Sequence, residues 1–181
     1  TVSPDGEQVV FGLTSSDLKK AESESDLYLV EVATGVMRRL TTTSGPEYSV
    51  SWSKDGKTLY FVASRDGSPQ LYALPMDGGE ARRLTNFVPG VSSPVVLPGN
   101  ESVIFTAAVY PECGSDVDCD KNTAEKLSSG PVQAHIADSL LYRHWNAYRA
   151  FRYTHLFCCD LKTGKVEMLT EGRIDYPDFT H

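Results

Sequence analysis

No stretch of this 181-residue chain approaches the roughly 20 consecutive apolar residues that a membrane-spanning helix requires. A basic stripe is also missing. With 24 acidic against 17 basic side chains and a net charge of −7, the composition argues against a nucleic-acid partner. The two strong basic doublets, Arg38-Arg39 and Arg82-Arg83, recur at one position of a repeat and read as solvated strand residues. Cysteine is scarce: there are four, with no C-x₂-C pair and no further convergent ligands, so neither a metal nor a cofactor is expected. The pentapeptide Gly-x-Ser-x-Gly, which would expose a nucleophilic serine on a strained turn, does not occur. His135, His144, His155 and His181 therefore have no local serine partner, and no catalytic residue is expected in the chain. An initiator Met is absent too, and the first residues lie inside a repeat. The chain reads as a segment of a longer protein, so the lack of a targeting sequence carries no information on location.

What is present is ordinary globular material, 40% apolar and 23% charged, enough for a substantial core. Its organising stretch is Trp52–Ser64: a strand end, an Asp55-Gly56 turn, then the alternating strand Thr58–Ala63. Asp-Gly suits a two-residue hairpin turn in which both central residues take positive φ. The same phrase opens the chain at Ser3–Gly12, and a degraded copy follows at Leu97–Thr106. A third strand and a fourth follow each hairpin: Asp26–Val32 with Val36–Thr41, Gln70–Pro75 with Ala81–Thr85, and Thr154–Leu161 with Val166–Thr170. The fourth strands close on Arg-Arg-Leu-Thr twice and on Met-Leu-Thr once. Four short strands per repeat of about 45 residues describe a β-propeller blade.

The expected fold is all-β, a partial propeller of about three blades plus the start of a fourth. Blade one covers about 1–45, with a polar connection at Thr14–Ser25; blade two covers about 46–88. Blade three, with an insertion, covers about 89–172, and a fourth opens at about 173–181. Trp52, Tyr28, Tyr60 and Tyr72 recur at equivalent positions and read as packing between blades. Open sheet edges predict self-association of the isolated segment. Asn100-Glu-Ser102 is a glycosylation sequon in a predicted turn.

Blade three breaks the pattern between Tyr110 and Asp138, with helix-favouring residues at Asn122–Ser129 that stop at Gly130-Pro131. Cys113 and Cys119 flank an acidic loop and are spaced to close as a local disulfide in an oxidising compartment. Cys158 and Cys159 are adjacent in an apolar strand, point to opposite faces and read as small hydrophobes. Glu112, leaving an apolar strand directly after Tyr110-Pro111, is the insertion's most interesting carboxylate. Arg143, His144 and Trp145 form a chemically dense cluster: a rigid fork for a carbonyl or carboxylate, a hydrogen-bond donor, and an apolar or cation-stacking surface. They suit a binding pocket and equally an anchor for an inter-blade loop.

The phrase Ser-Pro-Asp-Gly…Phe, Asp-Leu-Tyr-Leu-Val, Thr-Gly…Arg-Arg-Leu-Thr resembles TolB-like propellers, both TolB itself and those of the prolyl oligopeptidase family of serine peptidases. Val109–Cys113, Ala134–Asp138, Leu141–Trp145 and Thr154–Phe157 resemble the third-blade region of the bacterial dipeptidyl peptidase 5 and acylaminoacyl-peptidase branch. The resemblance implies a periplasmic or secreted enzyme whose propeller caps an α/β-hydrolase domain carrying a Ser–Asp–His triad, outside this chain. The propeller would gate access and help bind a peptide N-terminus, with Tyr110, Glu112, Arg143, His144 and Trp145 as substrate contacts. The Glu-Glu pair that another branch of the family uses for the substrate ammonium does not occur here. The competing expectation is a TolB-like module that docks a protein partner without chemistry.

Overall fold

The computed structural model describes residues 1–43, 45–65, 67–99, 101–131, 143–144, 147–148 and 151–176. The first sheet holds β1 (Gln8–Asp17), β2 (Glu22–Glu31) and β3 (Met37–Arg39). The second holds β4 (Glu47–Trp52), β5 (Thr58–Ala63), β6 (Gln70–Pro75) and β7 (Arg82–Arg83). In the third, β8 (Ser92–Val96) and β9 (Ser102–Val109) precede helix α1 (Val117–Ser129) and the short ladder β10 (Arg143–His144) with β11 (Ala147–Tyr148). The sheet is completed by β12 (Tyr153–Asp160) and β13 (Val166–Met168). Each sheet is an antiparallel meander in chain order, and together they do not close into a ring. The inner strands β4 and β8 touch, and β4 also touches β1 and β2, so the sheets fan out from a common edge as propeller blades do.

Side-chain alternation stacks the blades. Leu59, Phe61, Ala63, Tyr72 and Leu74 pack on Val10, Leu27 and Leu29 of the first sheet, together with Trp52. The opposite face of the second sheet, with Tyr60, Val62, Leu71 and Ala73, packs on Val103, Phe105, Phe157 and Cys159 of the third. The second sheet is thus buried on both faces, which is why β5 and β6 read as unbroken apolar runs. In β9 only alternate residues are buried, because one face alone has a neighbour.

The repeated Asp-Gly phrase departs from the expected two-residue turn. Ser3 N–H donates to Gln8 O at 2.8 Å and Ser53 N–H to Thr58 O at 2.8 Å, so the loops run Pro4–Glu7 and Lys54–Lys57. Only the glycines are left-handed, Gly6 at φ +79° and Gly56 at +71°. The serine hydroxyl explains the choice: Ser3 Oγ accepts from Gln8 N–H at 2.9 Å and donates to Asp5 Oδ1 at 2.5 Å, and Ser53 and Asp55 repeat this. The hydrogen bond from each serine hydroxyl, followed by that from the next amide but one, holds the Asp5 and Asp55 carboxyls below the usual carboxylate range.

The polar connection expected at Thr14–Ser25 is mostly strand. β1 and β2 run on beyond the sheet as a two-stranded ribbon, paired as far as Asp17 opposite Glu22. Hydroxyl pairs, Thr14 with Ser25 at 2.7 Å and Ser16 with Ser23 at 2.8 Å, line one side of it. With no apolar alternation there was no pattern to mark it as strand.

The closing threonines have a shared duty. As the fourth strand leaves each sheet, one third-strand N–H is left without a ladder partner, and the threonine hydroxyl accepts it. Leu27 N–H reaches Thr41 Oγ1 at 2.9 Å, Leu71 N–H reaches Thr85 Oγ1 at 3.0 Å, and Leu156 N–H reaches Thr170 Oγ1 at 3.1 Å. Thr85→Val strands a buried amide and should cost about 2 kcal/mol, lowering Tm by about 4–8 °C for a chain of this size. Calorimetry checks this; an unchanged Tm would remove the hydroxyl from the account.

Candidate functional site

Where β9 ends, the insertion folds back against its own sheet. Tyr110 N–H donates to Asp120 Oδ1 at 3.1 Å, and the turns Tyr110–Cys113 and Cys113–Asp116 bring the chain into α1. The helix begins at Val117, five residues before the stretch whose composition favours a helix. Asp116 causes the early start: its carboxylate accepts from Cys119 N–H at 2.9 Å as N-cap, and Asp118 and Asp120 complement the N-terminal end of the helix dipole. A disulfide joins Cys113 to Cys119, with 5.4 Å between Cα atoms.

Asp120 is the anchor of this region. Its side chain is 1% exposed, and its Oδ2 accepts from the Arg152 guanidinium at 2.7 Å. Arg152, immediately before β12, also lies over the Tyr110 ring, 4.8 Å from the centroid. One carboxylate thus ties the first turn of α1 to the end of β9 and to the start of β12.

An open cleft of about 500 Å³ lies between this pinned loop and the segment that follows β13. Pro111, Glu112 and the disulfide form one wall, Glu171, Gly172 and Arg173 the other, and Met168 lines it between them. The Glu112 side chain is 60% exposed and stands 3.9 Å from Arg173, itself 76% exposed. An ion pair this wet contributes little and is readily exchanged for another cation. The cleft therefore sets a small apolar part, Pro111 and Met168, beside an exposed carboxylate whose cation partner is exchangeable.

Of the other expected contacts, Tyr110 is 4% exposed and serves as packing beneath Arg152. Arg143 and His144 form β10, paired with Tyr148 and Ala147 of β11. Trp145, all of Ala134–Asp138, the sequon residue Asn100 and His181 lie outside the described residues. Among the described residues no group of His, Cys, Asp or Glu could hold a metal ion. Sequence reasoning missed Asp120 and Arg152. Asp120 is one of several acids in the loop, and only the fold brings the arginine to it.

Blades stacked face to face around a shared inner edge define a class of protein, and the comparisons give it a family. The family profile described as "TolB beta propeller domain" matches residues 1–137, and the chain belongs to that family. It is 31% identical over 97% of its length to the uncharacterized peptidase YuxL of Bacillus subtilis, covering 26% of that protein. With dipeptidyl-peptidase 5 of Porphyromonas gingivalis it shares 28% identity over 95% of its length, covering 24% of that protein. The chain thus spans about a quarter of the length of these curated relatives. Among solved structures, the putative TolB from Agrobacterium tumefaciens superposes with a TM-score of 0.59 at 24% identity, over 94% of this chain and 47% of that one. The acylaminoacyl peptidase of Pyrococcus horikoshii gives a TM-score of 0.67 at 12% identity, over 90% of this chain and 23% of that one. At such identities both likenesses speak for the fold.

Proposed function

We propose that the chain is the non-catalytic propeller segment of a serine peptidase of dipeptidyl or acylaminoacyl type. It would restrict access to short or unfolded peptides and help hold the peptide N-terminus, while an α/β-hydrolase domain supplies the Ser–Asp–His triad. The observation that carries the reading is the Glu112 carboxylate, exposed on the wall of a cleft whose loop is fixed by a disulfide and a buried ion pair. A free α-ammonium displacing Arg173 from Glu112 would gain a charge-assisted hydrogen bond. Arg143, His144 and Trp145, further along the same insertion, are the other proposed substrate contacts. Three blade sheets that do not close into a ring leave open edges, which favours association with a further domain or a second copy. The relatives' names support a peptidase, and the Cys113–Cys119 disulfide supports a periplasmic or secreted location.

In the full-length protein, Glu112→Gln should raise KM for dipeptidyl substrates with a free N-terminus about tenfold, the equivalent of about 1.4 kcal/mol, with kcat unchanged. Substrates blocked by N-acetylation should not respond. Unaltered kinetics together with a lowered Tm would assign Glu112 to structure. A second reading, a TolB-like module that binds a protein partner, is favoured by the match of residues 1–137 to the TolB propeller family. It predicts that the full-length protein hydrolyses none of these substrates.

A further inference from the structure

The residue just before the leucine served by each closing threonine is buried and polar in all three blades: Asp26, Gln70 and His155. In blade two its role is plain. Gln70 Oε1 accepts from Thr85 Oγ1 at 2.8 Å and from Phe87 N–H at 2.9 Å, and Gln70 Nε2 donates to Phe87 O at 2.7 Å. A single amide side chain latches the third strand to the connector that leads into the next blade, two residues beyond the threonine. In blade one the position is satisfied differently, Asp26 taking the Arg39 guanidinium at 2.6 Å.

In blade three the latch is an imidazole. His155 is fully buried, and its Nδ1 lies 3.1 Å from Thr170 Oγ1. That hydroxyl also accepts from Leu156 N–H, and the Thr85–Gln70 pair is the precedent for directing its proton to Nδ1. Nδ1 is then an acceptor and the ring is neutral, with Nε2 buried and without a hydrogen-bond partner among the described residues. The residue two beyond the threonine is Gly172, in the wall of the cleft, and the Tyr176 ring lies tilted beside the imidazole, 5.9 Å between centroids. Tyr176 N–H to Thr154 O at 2.7 Å and Thr154 N–H to Asp175 Oδ1 at 2.8 Å complete the seam.

We propose that His155 is a pH-sensitive latch: its protonation releases the connector 170–176 from β12 and with it the Glu171–Arg173 wall of the cleft. Protonation makes Nδ1 a donor, so the Thr170 hydroxyl must give up its bond to the ring and turn to accept, and among the described residues no carboxylate is paired with the ring to balance the new cation. The titratable groups on the elements around it are Tyr153, Cys158, Cys159 and Asp160 on β12, Glu167 on β13, and Glu171, Asp175 and Tyr176 on the connector, with the Arg173–Glu112 pair beyond; β9 sets Ala107 opposite His155 and carries no titratable side chain. Burial holds the imidazole below its ordinary value, with the Gly172 and Thr170 backbone pulling part way back. The folded state therefore binds fewer protons than the unfolded one. The latch contributes fully above about pH 6.5, the ordinary histidine value, and its contribution falls as the pH drops below that toward the depressed value. This holds whatever the cleft binds.

The test is amide hydrogen exchange in the full-length protein, corrected for intrinsic rates. Protection of Leu156 and Tyr176 should fall by up to about tenfold per pH unit below about pH 6.5, while the core amides of β5 and β6 stay protected. His155→Gln, which installs the latch of blade two, should abolish the acid response. Gln70→His should create one at Phe87. A wild-type response that persists in His155→Gln overturns the proposal, as does no response in wild type. Should His155→Gln fail to fold, an NMR titration of His155 decides: a value at or above the ordinary one overturns the latch.

Discussion

Arg152→Ala should lower the unfolding free energy by about 3 kcal/mol, the low end for breaking a buried ion pair. The partner left behind is the reason. Asp120 is 1% exposed and would keep only the Tyr110 amide on one oxygen, while Tyr110 would lose the guanidinium over its ring. For a chain of this size the loss corresponds to a fall in Tm of about 6–12 °C, measurable by calorimetry or urea unfolding. Arg152→Lys keeps the charge and loses the flat contact with Tyr110, so it should fall between wild type and alanine. Adding Asp120→Asn to Arg152→Ala should restore part of the loss, since the stranded charge is gone; a double-mutant cycle reads the coupling directly. A cost below about 0.5 kcal/mol, typical of a surface substitution, would show that the disulfide alone holds the insertion.

Arg65→Ala should cost a similar amount, about 3–4 kcal/mol. Glu47 at the start of β4 has a fully buried side chain, and Arg65 just after β5 reaches it at 2.6 Å while lying 4.6 Å from the Tyr72 ring centroid and 5.5 Å from that of Phe61. The pair is imperfect, because Glu47 Oε2 and Arg65 Nε have no hydrogen-bond partner. Its desolvation is therefore incompletely offset, and Glu47→Gln combined with Arg65→Met should recover most of the stability lost by the single change. Chemical denaturation of the three variants checks this. A double variant no better than Arg65→Ala would mean that ring contact, not charge, holds the arginine.

Both arginines mark the limit of what the sequence disclosed. The blades were legible because their signals are local: Asp-Gly turns, two-residue alternation, and apolar runs in β5 and β6 dense enough to show burial on both faces. The pairing of Asp120 with Arg152 spans an insertion, and nothing distinguishes that aspartate from Asp116 or Asp118 in the text of the chain. The start of α1 was missed because a capping carboxylate outweighed a composition that favours a helix only from Asn122. The Arg-Arg-Leu-Thr phrase was visible as a repeat, yet its reason, a hydroxyl serving an orphaned amide, belongs to the third dimension. Glu112 was singled out for its place at a strand end, and its exposure at the cleft wall depends on the fold of the loop.

The ribbon of β1 and β2 past the sheet differs from the blades in what fixes its length. Within the stack, a one-residue slip would turn Leu59 or Phe61 away from its neighbours. In the ribbon, where hydroxyls face hydroxyls and no side chain is committed to a core, adding or removing a pair of residues disturbs nothing but the reach of its tip. That makes Leu18, 93% exposed at the tip, the point at which a tag or a foreign loop could be spliced in with both packed faces intact, and the stretch where relatives of this chain have the most freedom to differ in size.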